Sequence, residues 1–318
     1  MTKQTFLKGT LILIVAGFIT RLLGFINRIV VARIMGAEGV GLYVMAVPTL
    51  TLVITATSLG LPIAISKLVA EAEALGDTKK IKRILVVSLT LTGSLSVIFT
   101  TTMFIFAPFI ANVLLTDSRA YYPLMAVIPI APIVALSSVM RGYFQGKQNM
   151  KPTAYSQVIE QVVRITLVAV MTSAFLPYGV EYAAFGAMLS VICGELASLL
   201  FMIYMFKTNK TFRVRKQFIT YLKQGKETLK SLLEIALPTT GSRFIGSMSL
   251  FLEPIVVAQS LAIAGVTTVI ATKQYGELAG FVIPVIMLPT FITYSLSVAL
   301  IPAISEAVAR NHFKTVHY

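Results

Sequence analysis

Residues 9–33 read GTLILIVAGFITRLLGFINRIVVAR, an apolar run into which Arg21, Asn27, Arg28 and Arg33 are set. A helix needs about 20 mostly apolar residues to cross the hydrocarbon core of a bilayer, and this run is long enough. Lys3 and Lys8 precede it, but no small-x-small exit site follows, so it reads as an uncleaved first transmembrane helix. Working outward, stretches of the same kind lie near 42–69, 84–115, 121–145, 153–176, 180–206, 229–262 and 278–308. Eight spans make this an all-α, polytopic membrane protein. Prolines fall inside several of them, among them Pro48, Pro129, Pro254 and Pro284; freed backbone groups at membrane depth are tolerated beside other helices or a hydrated cavity.

The composition agrees. The chain has 318 residues, 56% hydrophobic and only 13% charged, with a mean hydropathy of +0.84, whereas soluble domains carry about 25% charged residues. A soluble enzyme, a disordered tail, a collagen and an ordinary nucleic-acid-binding domain are excluded. Cys193 is the single cysteine, and both histidines, His312 and His317, lie in the last seven residues, so neither a disulfide nor a buried His/Cys metal site is expected. No G-x-x-x-x-G-K-[ST] phosphate loop occurs, and the external acids are too sparse for a hydrolase needing a close carboxylate pair. The chain reads as a non-enzyme without a cofactor.

The net charge of +14 is mostly a topology signal. Cytoplasmic loops collect Lys and Arg. One set of loops holds nineteen, including Lys79, Lys80, Arg83, Arg141, Lys147 and eight within 207–230; the opposite set holds Arg33, Arg119 and Lys273. Both termini are therefore expected in the cytoplasm.

Residues 207–228 form a basic break in which Phe212, Phe218, Tyr221 and Leu222 interleave with Lys and Arg, as in an amphipathic linker lying on anionic lipid. It separates a six-helix bundle, 1–206, from 229–318. The two parts echo each other: Arg21-Leu-Leu-Gly24 with Arg243-Phe-Ile-Gly246, Ile29-Val-Val-Ala32 with Ile255-Val-Val-Ala258, and the segment from Pro62 with that from Pro302. A parallel duplication with a site between two bundles is a transporter plan. Residues 229–318 would supply only the first two helices of the second bundle, so the chain reads as part of a longer design.

Five basic residues remain inside the spans: Arg21, Arg28, Lys67, Arg164 and Arg243. An ionisable group at the bilayer centre is costly, so it faces a cavity, a partner or the surface. Arg21 and Arg28, seven apart, share a helical face with Gly17 and Gly24, and small residues there would admit a helix or ligand. Arg28 lies near the outer interface and could instead snorkel to headgroups. Arg243 repeats Arg21, and the pair is expected to face one cleft. A guanidinium fork matches phosphate oxygens, which points to a diphosphate; the alternative is that each arginine satisfies carbonyls freed at helix kinks. Glu160 and Arg164, at i and i+4, read as a built-in ion pair with a polar lining as the second reading. Glu253, beside Pro254, has no local partner and could couple an ion.

The segment RLLGFINRIVVARIMGAEGVGLYVMAVP, residues 21–48, resembles the first two helices of the polysaccharide-exporter and lipid II flippase branch of the multidrug/oligosaccharidyl-lipid/polysaccharide flippase superfamily. The resemblance extends along the whole chain. It implies a two-bundle fold of fourteen helices in the complete family and outward movement of undecaprenyl-diphosphate-linked sugar precursors, here for spore cortex peptidoglycan. Arg21, Gly24 and Val31-Ala32-Arg33 match the family pattern. Flippases of vegetative wall synthesis carry a further arginine where this chain has Asn27, and others near Leu52 or Val53 and near Pro284. The resemblance implies a lipid-linked oligosaccharide as partner, held by Arg21, Arg28 and Arg243, with Asn27, Glu253, Glu160 and Arg164 lining or coupling. Two rivals stand beside it: an ion-coupled exporter of cationic drugs on the same fold, which needs an acid in the cleft, and a non-transporting membrane partner of wall-synthesis enzymes.

Overall fold

The first span is one helix, α1 (3–35), and it ends where Gly36 takes a φ of 66° that side chains rarely adopt. This is a computed structural model, and it describes residues 3–209 and 218–286. From Gly36 the chain starts α2, which runs over 37–58, breaks at Leu59 and Gly60, and resumes over Leu61–Ala74. Both break residues have positive φ, 44° and 58°. Gly60 is required there for space as well, since a Cβ on it would collide with Thr239 Oγ1. α3 spans Thr78–Phe109, capped at its start by Asp77, whose carboxylate accepts from the Lys80 amide, and it continues through a wider π turn, Ile110–Leu114.

α4 also comes in two pieces, Tyr121–Val127 and Ile130–Gly146, broken beside Pro129, which has no N–H to continue the ladder. α5 is Lys151–Phe175 and α6 is Val180–Asn209. A short helix, Phe218–Lys223, precedes α7, Lys226–Ile263. α8 opens at Thr268–Tyr275, passes through a π segment, Gly276–Val282, and is described to Ile286. The expected eighth span therefore begins ten residues earlier than its apolar run, and Lys273 lies in its first helical piece rather than in a loop. Arg141, assigned to a loop from its charge, lies inside α4. The repeat segment beginning at Pro302 lies outside the described residues.

Among the described residues, six helices or helix pairs are long and apolar enough to cross a membrane, the first of them the 64-residue stretch Leu11–Ala74, long enough for two crossings. Their outer faces carry exposed large apolar side chains such as Ile98, Phe104, Val162, Val170, Ile245 and Val256, as a lipid-facing surface requires. Several hydroxyls within the helices are satisfied locally: Thr92 donates to the Ser88 carbonyl, Thr166 to Val162 and Thr240 to Ala236. Such back-bonding keeps a polar group paired where no water reaches it.

The interior is divided into two apolar clusters. One, around Leu42, Met45, Leu124, Ile130 and Met188, joins the start of α2 to α4 and α6. The other, around Leu61, Ile65, Ile84, Phe144 and Met202, joins the lower piece of α2 to α3, α4, α6 and, through Leu232, α7. Along α6, Ile192 belongs to the first cluster and Met202 to the second, so Glu195 falls at the seam between them.

Candidate functional site

Arginines 21 and 28 occupy one face of α1, and the structure places both on a cavity of about 660 Å³. α1 adds Gly24, Asn27 and Val31; α2 adds Val40, Tyr43, Val44, Val47 and Leu50; α5 adds Arg164; α6 adds Val191. The wall opposite comes from α8, through Ala279, Gly280 and Pro284. The cavity therefore lies between the six-helix part and the segment beyond the linker. Three guanidiniums face it, and no carboxylate stands among the described lining residues.

Asn27 is buried, and its Oδ1 has no hydrogen-bond partner. An acceptor left unpaired in such a place costs about 1–3 kcal/mol. Arg164 has a similar reserve, since its Nε is buried and unpartnered. The site thus holds unused acceptor and donor capacity along with its positive charge.

Arg164 is oriented from behind. Its Nη2 lies 2.5 Å from Glu160 Oε1, which is the pair expected from the i, i+4 spacing. The same Glu160 is 3.7 Å from Arg141 Nη2, and Arg141 is 2.7 Å from Glu195. Gly194 makes this meeting of α5 and α6 feasible, because a Cβ there would lie 2.8 Å from the Glu160 carbonyl oxygen.

Arg243 and Glu253 are not brought to this cavity. Both are exposed on α7, and neither is among the lining residues. The glycine stripe of α1 does not admit a helix either: a Cβ at Gly17 or Gly24 would meet nothing within 4 Å. Close helix approach occurs instead between α2 and α8. A Cβ on Gly41 would overlap the Thr272 carbonyl oxygen, and one on Gly276 would overlap that of Ala37.

Next to that contact is a polar latch with no forerunner in the sequence reading. Arg119 donates through Nη2 to Asp117 at 2.9 Å and also pairs with Glu38 at the start of α2. Asp117 further accepts from the Thr272 hydroxyl at 2.8 Å. Gln259 of α7 donates to the carbonyls of Val113 and Leu114, at 2.6 and 3.2 Å, where the π turn leaves them available. The Glu38 end of the molecule is thus closed over the cavity by α2, α7, α8 and the α3–α4 connection.

Residues 6–308 match the family model described as polysaccharide biosynthesis protein. The chain is 64% identical over 318 residues to stage V sporulation protein B of Bacillus subtilis (strain 168), covering all of this chain and 61% of that protein. It is 24% identical to the lipid II flippase MurJ of the same organism, over 98% of this chain and 60% of that one. The chain thus spans about three fifths of the length of these relatives. Among solved structures, the MATE multidrug transporter DinF-BH superposes with a TM-score of 0.68 at 15% identity, over 93% of this chain and 64% of that one. That likeness is one of fold.

Proposed function

The chain belongs to the polysaccharide biosynthesis protein family, and from that premise we propose that its cavity receives the diphosphate of an undecaprenyl-linked peptidoglycan precursor. The protein then takes part in moving that lipid II-like cargo to the outer leaflet, in the service of spore cortex synthesis. Both termini are cytoplasmic in this reading, the closed Glu38 end faces outward, and the linker 207–228 lies on the anionic inner leaflet.

One observation carries the proposal. Arg21, Arg28 and Arg164 line a single cavity together with Asn27, with no described carboxylate among its lining residues. Planar guanidiniums bind phosphate oxygens through paired N–H donors, and they stay charged in a poorly hydrated site. Asn27 adds an amide whose Oδ1 lacks a donor, which a sugar hydroxyl can supply. An exporter of cationic drugs would need the opposite polarity here. The apolar lining from Val31, Val40, Val44, Val47 and Leu50 suits the first isoprene units of a lipid tail.

The same fold in the relatives of known transport class supports alternation between two bundles as the route. The test is translocation of lipid II in reconstituted vesicles by the full-length protein. Charge reversal at Arg21 is expected to abolish it while membrane insertion stays normal. Unchanged translocation by the Arg21→Glu protein overturns the reading.

A further inference from the structure

Arg164 faces two ways: it lines the cavity, and its Nη2 is held by Glu160. Behind it the chain of charges continues through Arg141 to Glu195. Two carboxylates and two guanidiniums form a neutral row at the seam between the apolar clusters, the carboxylates only 13% and 10% exposed. Both carboxylates approach one nitrogen, Arg141 Nη2, at 3.7 and 2.7 Å. Among the described residues, Arg141 and Arg164 are the cations that pair with them, and Arg164 reaches Glu160 alone. α4 contributes Arg141, α6 contributes Glu195, and α5 itself contributes Arg164; Arg28 of α1 and Tyr43 of α2 face the cavity side, with Tyr43 within electrostatic reach of both Arg28 and Arg164.

We propose that binding of an anionic headgroup to Arg164 is linked to the uptake of one proton by the Glu160–Glu195 pair. This rests on the cavity's taking an anionic cargo. A diphosphate offers Arg164 more charge than one carboxylate does, and its oxygens fit the same fork. When the guanidinium turns to it, Glu160 loses its partner, and two carboxylates are left to share Arg141. Two carboxylates in one poorly solvated site with a single cation do not both stay ionised. The proton enters from solvent, resides on the pair while cargo is bound, and leaves when Arg164 returns to Glu160. The bound state then carries part of the cargo's negative charge already neutralised. By reciprocity, a lower pH tightens binding.

The experiment is calorimetric titration of undecaprenyl diphosphate into the full-length protein in detergent, repeated in buffers of different ionisation enthalpy. The wild type should take up on the order of one more proton per ligand than the Glu160→Gln protein. Its affinity relative to that variant should rise by up to about tenfold per unit fall in pH. The headgroup's own titration is common to both proteins and cancels. Glu195→Gln is the second variant, expected to give the same loss of proton uptake, because either change leaves Arg141 with a single carboxylate. Tight binding with equal proton uptake in all three proteins overturns the linkage and leaves the cavity reading intact. Absence of binding to the wild type overturns both.

Discussion

The Thr272 hydroxyl donates to Asp117 Oδ2 over 2.8 Å, so the α3–α4 connection of the first bundle is tied directly to the start of α8. Asp117 is 2% exposed and also carries Arg119. If the protein works by alternating access, this junction has to open for cargo to leave at the Glu38 end.

Asp117→Ala should therefore loosen that end. It strands the Thr272 hydroxyl and leaves Arg119 with Glu38 alone, a loss of about 1–3 kcal/mol. In a Cys193→Ser background, the Ala271→Cys protein, altered at a position buried in the closed arrangement, is expected to react faster with a water-soluble maleimide once Asp117 is removed. Equal reaction rates would show that the latch does not hold the closure.

Glycine substitutions should separate by position. Gly41→Ala drives a Cβ into the Thr272 carbonyl, and overpacking of this kind costs about 1–3 kcal/mol. Gly17→Ala meets open space and should raise the melting temperature slightly, since alanine favours a helix over glycine by about 1 kcal/mol. Thermal melts in detergent distinguish the two.

Single alanine substitutions at Arg21, Arg28 and Arg164 should each weaken undecaprenyl diphosphate binding by about 10- to 100-fold, the loss of one hydrogen-bonded charge. Arg243→Ala, outside the cavity lining, should stay within about twofold of wild type in the same titration. A loss at Arg243 as large as at Arg21 would mean that cargo binds in a different arrangement of the two bundles.

Asn27→Leu should raise stability and lower function together. The replacement is close in volume and removes a buried Oδ1 that has no partner, a gain of about 1 kcal/mol or more. The same change deletes a polar group from the cavity, so cargo affinity should fall. A melting temperature that rises without loss of binding would show Asn27 to be idle in recognition.

Much of this was legible from pattern alone, because apolar length and basic asymmetry are local properties. The spans at 153–176 and 180–206 match α5 and α6 within a few residues, and the face shared by Arg21 and Arg28 follows from helical periodicity. Three features were hidden for distinct reasons. The start of α8 is TVIATKQY followed by Gly276-Glu277, too polar for a hydropathy reading, and only one face of it, Ala271, Thr272, Tyr275 and Gly276, is buried. Arg141 stands near Lys147 in sequence and reads with it as a loop charge; its partner Glu195 is 54 residues away, and no spacing rule reaches that far. The latch of Glu38, Asp117, Arg119 and Thr272 draws on three separate elements, so it exists only in three dimensions. Arg243 shows the converse: a repeat signals common ancestry of two helices, and it does not oblige both copies to look into one space.

The break in α2 has its own consequence. Leu59 and Gly60 both have positive φ, with Gly60 nested against Thr239 of α7. The amides on either side of the break, Leu59 and Ile63, bond to Thr55 and Gly60, so the ladder is interrupted only between them, and a bend of α2 there would disturb fewer hydrogen bonds than one within either piece. The joint is also a place where the far half of the molecule touches the near one, so if the protein works by alternating access, residue 60 is where a bend in α2 would be passed directly to α7.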